Sequence, residues 1–227
     1  MLGAIAIMPS APVLVPELAG AAAAELTDLR AAVCTAAESL PARWLAVGAG
    51  PVDAVFGPQS AGSFAGFGVD LPVGLSPQAG QPVELPLCAL MAGWVRGQAR
   101  PEARVEVRVY SEPDTALGCG KQLRVDVERS PEPVGVLVIA DGANTLTAAA
   151  PGGHHPEDVD VQRALNDALA CGDTAALTGL PPQVVGRVAF AVLAGLAGPG
   201  RFAPRSVRAL YRGAPYGVGY FAGIWQP

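Results

Sequence analysis

The chain has 227 residues, of which 51% are hydrophobic and 15% charged, enough apolar material for a sizeable core and too little charge for a disordered polymer. A formal charge of -5 argues against a general nucleic-acid or anionic-membrane binder, which needs a basic face. Lys121 is the only lysine, against fourteen arginines, a compositional habit that goes with the heavy use of Ala, Gly and Pro.

In chain order, LGAIAI at 2–7 is a short continuous apolar run, as expected of a strand buried on both faces. An Ala-rich segment from Glu17 to Leu40 has Leu18, Leu26, Leu29 and Val33 at near-helical spacing, and Pro41 marks its end. RWLAVG at 43–48 reads as the next strand, running into the loop GAGPVDAVFGP. Residues 57–82, rich in Gly, Pro and Ser, show no period and are expected to wrap the surface or cover a cleft. A helix is predicted over 83–98, and RVEVRVY at 104–110 alternates at period two as a half-exposed strand does.

A helix is also predicted over 115–129. VGVLVIA at 134–140 is the clearest buried strand, and it empties into DGANTLTAAAPGGHHPE, a long polar, glycine-rich loop. Val161, Ala164, Leu165, Ala168 and Leu169 then mark an amphipathic helix. Another is expected over 181–197, with Pro181 and Pro182 near its start and Gly198-Pro199-Gly200 past its end. The C-terminal SVRALYRGAPYGVGYFAGIW reads as two strands and a turn.

Strands alternating with helices predict a single layered α/β/α domain over 1–227 with a mainly parallel central sheet. Ligands of such folds sit outside the carboxyl ends of strands, which singles out the loops 8–17, 48–58 and 141–157. No run of about 18 apolar residues is present, so no membrane-spanning helix is expected. The apolar N-terminus lacks a preceding Lys or Arg and is broken by Pro9, Pro12 and Pro16, so it reads as strand and loop rather than as a signal peptide. The expected location is therefore cytoplasmic, without a membrane or nucleic-acid partner. Cys34, Cys88, Cys119 and Cys171 form no CxxC pair and read as reduced, mostly buried thiols.

The loop after VGVLVIA holds Asp141, Asn144, Thr145, Thr147 and both histidines of the chain, His154 and His155. Carboxylate and imidazole together suit acid/base work or metal ligation. A solvated loop in which Asp and Asn cap turns and the histidines are incidental is the plainer alternative. A Ser–His–Asp hydrolase built from Ser10, His154 or His155 and Asp141 is conceivable, although no GxSxG elbow supports it. GAG at 48–50 lacks the rest of a dinucleotide-binding GxGxxG pattern. Tyr216, Tyr220, Phe221 and Trp225 read as core or interface rather than a ligand cage. The Arg96, Arg100, Arg104 and Arg108 series reads as a solvated face.

Three segments together resemble the class III extradiol ring-cleavage dioxygenases (the LigB-like superfamily). MPSAPVLVPEL is similar to that family's PHPPLLVPE opening, ADGANTLTAAAPGGHHPE to its GDLSHRLT segment and the stretch after it, and YRGAPYGVGYFAG to its closing GVGY segment. The matches fall in the family's order and span nearly the whole chain. The resemblance implies a non-haem Fe(II) held by two histidines and a carboxylate, with a further histidine as acid/base.

At those positions this chain departs from the family. Ser10 stands where the first histidine is expected, Gly50 near the second, Asn144 at the acid/base histidine, and Arg212-Gly213 where a carboxylate belongs. The two adjacent histidines cannot replace three drawn from separate loops, because neighbouring side chains in extended backbone point to opposite faces.

The expectation is thus a divergent dioxygenase-like protein without a metal cofactor, binding a small polar molecule or a protein partner. Ser10, Gly50, Asp141, Asn144, Thr145, His154 and Arg212 form its expected ligand site, and His155, Asp141 and Asn144 are the candidates for any residual chemistry. Arg212 would favour an anionic ligand, or pair with Asp141. The alternatives are a dioxygenase or hydrolase with a rebuilt zinc or iron site using His154, His155 and Asp141, and a partner-binding scaffold as in the related Memo group. Homodimer formation is an expectation from the resemblance alone.

Overall fold

LGAIAIM and VGVLVI are buried at nearly every position, as strands covered on both faces must be. In the computed structural model, which describes residues 1–198 and 206–227, they lie side by side within a seven-stranded sheet. The strands in chain order are β1 (Leu2–Met8), β2 (Arg43–Ala49), β3 (Ala54–Phe56), β4 (Ser60–Ser63), β5 (Pro72–Gly74), β6 (Gln81–Pro82), β7 (Arg104–Tyr110), β8 (Val134–Ile139), β9 (Ser206–Gly213) and β10 (Tyr220–Gln226). The helices are α1 (Pro16–Ala19), α2 (Thr27–Glu38), α3 (Leu87–Ala99), α4 (Pro113–Glu128), α5 (Asp158–Cys171) and α6 (Arg187–Ala197).

The central sheet runs β3-β7-β2-β8-β1-β10-β9. Its middle four strands are parallel, whereas β3 on one side and β10 and β9 on the other are antiparallel to their neighbours. The fold is thus mixed α/β, with a mixed sheet where a mainly parallel one was expected. The short connections account for this: only four residues separate β2 from β3, and six separate β9 from β10, too few for a crossover.

Side-chain parity divides the core between the two faces. Ala4, Ala6 and Met8 of β1, with Leu137 and Ile139 of β8 and Tyr220, Ala222 and Ile224 of β10, pack on the side of α2 and α3. Ile5 and Ile7, with Val136, Val138, Phe221 and Trp225, pack on the side of α4, α5 and α6. RVEVRVY is half-exposed as its alternation predicts, burying Val105, Val107 and Val109.

Three predicted segments differ from the sequence reading. The helix expected over Glu17–Leu40 is broken into short turns and the helix α2, with Gly20 at φ 54° as the break. Residues 57–82 are not loop throughout: β4, β5 and β6 form a second, three-stranded sheet there, in strands too short to show a period. The last helix begins at Arg187 rather than Pro181, because the backbone of 183–186 bonds to the loop after β8. Pro199 and Gly200, expected past its end, lie outside the described residues. The four cysteines are free, but only Cys88 is buried and Cys171 is exposed, so the expectation of mostly buried thiols fails. No helix among the described residues is long and apolar enough to cross a membrane.

Candidate functional site

The parallel strands β1, β2, β7 and β8 all end on one edge of the sheet, and the antiparallel β10 begins there. Val138 of β8 lies beside Val47 of β2 and Ile7 of β1, and Ile7 lies beside Gly223 of β10. Carried three residues further, the same registers set Gly50, Asp141, Ser10 and Tyr220 in one row across four neighbouring strands, about 4.8 Å apart. Parity puts all four on the α2/α3 face.

Within this row the Ser10 backbone N–H donates to Asp141 Oδ1 at 2.9 Å. That is the only hydrogen bond the Asp141 side chain makes. Its carboxylate is deep in the protein, and burial pushes its pKa up to about 6, with the Ser10 N–H opposing. The residue nevertheless keeps partial contact with solvent. Depth combined with partial exposure describes a group at the floor of a recess, where a ligand could reach it.

The Asp141 backbone is fixed from the other side. Its carbonyl accepts from Gly186 N–H at 2.8 Å, Gly142 N–H donates to Gly219 O at 2.7 Å, and Gly219 N–H donates to Ala143 O at 2.8 Å. A Cβ on Gly186 would lie 2.5 Å from Ala140 Cβ and 2.7 Å from Asp141 O, so only glycine permits this approach.

Three tyrosines surround the same end. Tyr220 is 4% exposed, and no hydrogen bond holds its hydroxyl. Burial raises its pKa strongly, and the charge of Asp141 adds to that, followed by Tyr216 and Tyr211. Tyr216 donates its hydroxyl proton to Glu25 Oε2 at 3.0 Å, and Tyr211 is raised by burial and by Asp28. Sequence reasoning took Tyr216 and Tyr220 as core or interface and did not single out Tyr211. Tyr220 does pack in the core, yet its hydroxyl belongs to the recess. The available signal was clustering: three of the chain's four tyrosines fall between 211 and 220.

The other expected site residues are placed elsewhere. Asn144 gives its backbone N–H to Gln183 O at 3.2 Å, and its carbonyl accepts from Gly152 at 2.9 Å, which shapes the loop. Thr145 donates its hydroxyl to Asp158 Oδ2 at 2.5 Å, and Gln183 Nε2 donates to Asp158 Oδ1 at 2.7 Å. His154 and His155 are exposed, and His155 Nδ1 lies 3.5 Å from Glu157 Oε1. Neither histidine has a hydrogen bond or ion pair to Asp141 among the described residues. Arg212 pairs with Asp167 of α5 at 3.1 Å. It sits opposite Phe221 in the ladder, on the face away from Asp141, so the expected Arg212–Asp141 pairing does not form.

The donor set does not fit the iron implied by the resemblance. Ser10 and Asn144 are neutral, and Gly50 offers no side chain. A Cβ at Gly50 would lie 2.5 Å from Val109 Cγ1, so the position is closed to a larger residue as packed. Among the described residues no group of three or more His, Cys, Asp or Glu is placed to hold a metal ion.

A groove of about 690 Å³ lies on the β3–β7 edge, lined by Asp53, Arg108, Tyr110 and Cys119 among others. Its charged groups are already engaged, Arg108 with Glu106 and Asp126, and Asp53 with Ser111. The recess at Asp141 is the place where polar groups remain under-used.

No protein-family profile and no curated protein matches the sequence. Among solved structures, the chain is similar to an uncharacterised protein of Escherichia coli K12, at a TM-score of 0.60 and 9% identity over 98% of this chain and 99% of that one. At that identity the likeness concerns the fold alone.

Proposed function

We propose that this chain is a divergent extradiol-dioxygenase-like protein whose former metal end has become a metal-free recess that binds a small polar molecule. The observation that carries the reading is the single row of Gly50, Asp141, Ser10 and Tyr220 at the carboxyl edge of the sheet. Two of the positions where the resemblance expects histidine ligands, Ser10 and Gly50, flank Asp141 there, and neither supplies a metal donor. What remains is a carboxylate, a tyrosine hydroxyl and a serine, groups that orient a ligand through hydrogen bonds worth about 0.5–1.5 kcal/mol each.

The test uses the purified, tag-free chain. Supplied with Fe(II), catechol and air, it is expected to form no ring-opened product. A fragment screen by ligand-observed NMR is expected to find small polar binders lost in Asp141→Asn or Tyr220→Phe. Sustained iron-dependent ring cleavage would contradict the reading, as would a screen whose binders are all indifferent to both substitutions.

A further inference from the structure

The charges around the recess narrow its ligand to one class, on the reading just given that the recess binds a small polar molecule. Asp141, at its floor, receives one backbone N–H and has no Arg, Lys or His partner among the described residues. Tyr220, buried to within 4% of its surface and on the same face of the sheet, keeps a hydroxyl without a hydrogen-bond partner. Towards the rim stand the hydroxyl of Tyr216, held by Glu25, and Tyr211, which feels the charge of Asp28. Every fixed charge identified at this end is therefore negative. Arg30, the only cation between 16 and 38, spends its guanidinium on the Ala23 carbonyl and the Thr27 hydroxyl.

We infer that the recess selects a small organic ammonium ion, with the ammonium group on Asp141 and a compact apolar body against the tyrosine rings. An ionised carboxylate is an acceptor only, so it demands donors, and an ammonium group brings three with a compensating charge. The hydroxyl oxygen of Tyr220 can accept a second of those protons, and the faces of tyrosine rings attract cations. An anion meets Asp141, Glu25 and Asp28 with no cation to offset them. A neutral alcohol satisfies the hydrogen bonds but leaves the buried charge uncompensated.

The experiment is a calorimetric titration at pH 7.5 with three probes of matched size: phenethylamine, phenethyl alcohol and phenylacetate. Phenethylamine is expected to bind about tenfold or more tightly than the alcohol, with no detectable binding of phenylacetate. Asp141→Asn is expected to remove that preference while leaving the alcohol's weak affinity in place, and Tyr220→Phe to weaken the amine by a smaller factor. Equal or tighter binding of the alcohol or phenylacetate overturns the inference, and so does failure of phenethylamine to bind. Binding of a neutral or anionic probe that still depends on Asp141 or Tyr220 would leave the recess reading standing while removing the ammonium class. Probe binding indifferent to both substitutions, with none in the wider screen sensitive to them, would remove both.

Discussion

Two aspartates follow the same buried strand β8, one on each side of the sheet's edge, and their surroundings are opposite. Asp158, 4% exposed at the start of α5, has both carboxylate oxygens occupied, by Thr145 and Gln183, which tie the loop after β8 to the last helix. Asp141 has one donor, from the Ser10 backbone, and its pKa is raised by burial to about 6. A carboxylate whose acceptors are filled by its own protein is cement. One left short of partners in a place solvent can reach carries a standing cost, and such costs collect where a ligand is expected to relieve them.

Substitution at the two positions should therefore have opposite signs. Asp158→Ala strands the Thr145 hydroxyl and the Gln183 amide, and is expected to destabilise the fold by about 3–5 kcal/mol in urea unfolding. Asp141→Asn is expected to stabilise it, by up to about 3 kcal/mol at pH 7, from a shift of about two units at 1.36 kcal/mol each. The sign follows from linkage. With the folded pKa raised above its ordinary value, the carboxyl is protonated in both states at low pH and costs nothing. The penalty grows as pH rises from about 4 to about 6 and is complete above that. The gain from Asp141→Asn should accordingly fade towards zero near pH 4, and a pH-independent gain would remove the contrast.

Smaller effects sharpen it further. Gly186→Ala forces a methyl against Ala140 and the Asp141 carbonyl, and is expected to cost about 1–3 kcal/mol by thermal unfolding while disturbing the recess from behind. Arg212→Ala breaks a solvent-exposed pair with Asp167 and should change stability by less than about 0.5 kcal/mol. A larger loss there would mean that Arg212 does more than hold its surface partner.

The sequence made part of this visible for physical reasons. Strands buried on both faces show as unbroken apolar runs, so β1, β2 and β8 and the loops leaving them were readable, and with them Ser10, Gly50 and Asp141. Arg212 was assigned to the recess, but a strand's period of two sends it to the other face; its neighbour Tyr211 is the one turned inward. That parity depends on the antiparallel return of β9 and β10, whose pairing shifts between Ala222 and Gly223, and no periodicity announces such a shift. His154 and His155 looked chemical by type alone, whereas backbone bonding from His155 to Thr145 leaves them on the exposed approach to α5. The three-stranded sheet within 57–82 escaped notice because strands of two to four residues cannot display a pattern.

The central claim, that Asp141 is an unfilled carboxylate open to a cationic ligand, is tested most directly by following the aspartate side-chain carbons by NMR through a pH titration, with and without phenethylamine. The account predicts one resonance, missing in Asp141→Asn, that titrates near 6 in the free protein and at lower pH when the amine is present. An Asp141 resonance that titrates below 5 in the free protein, or one that the amine leaves unmoved, would contradict it.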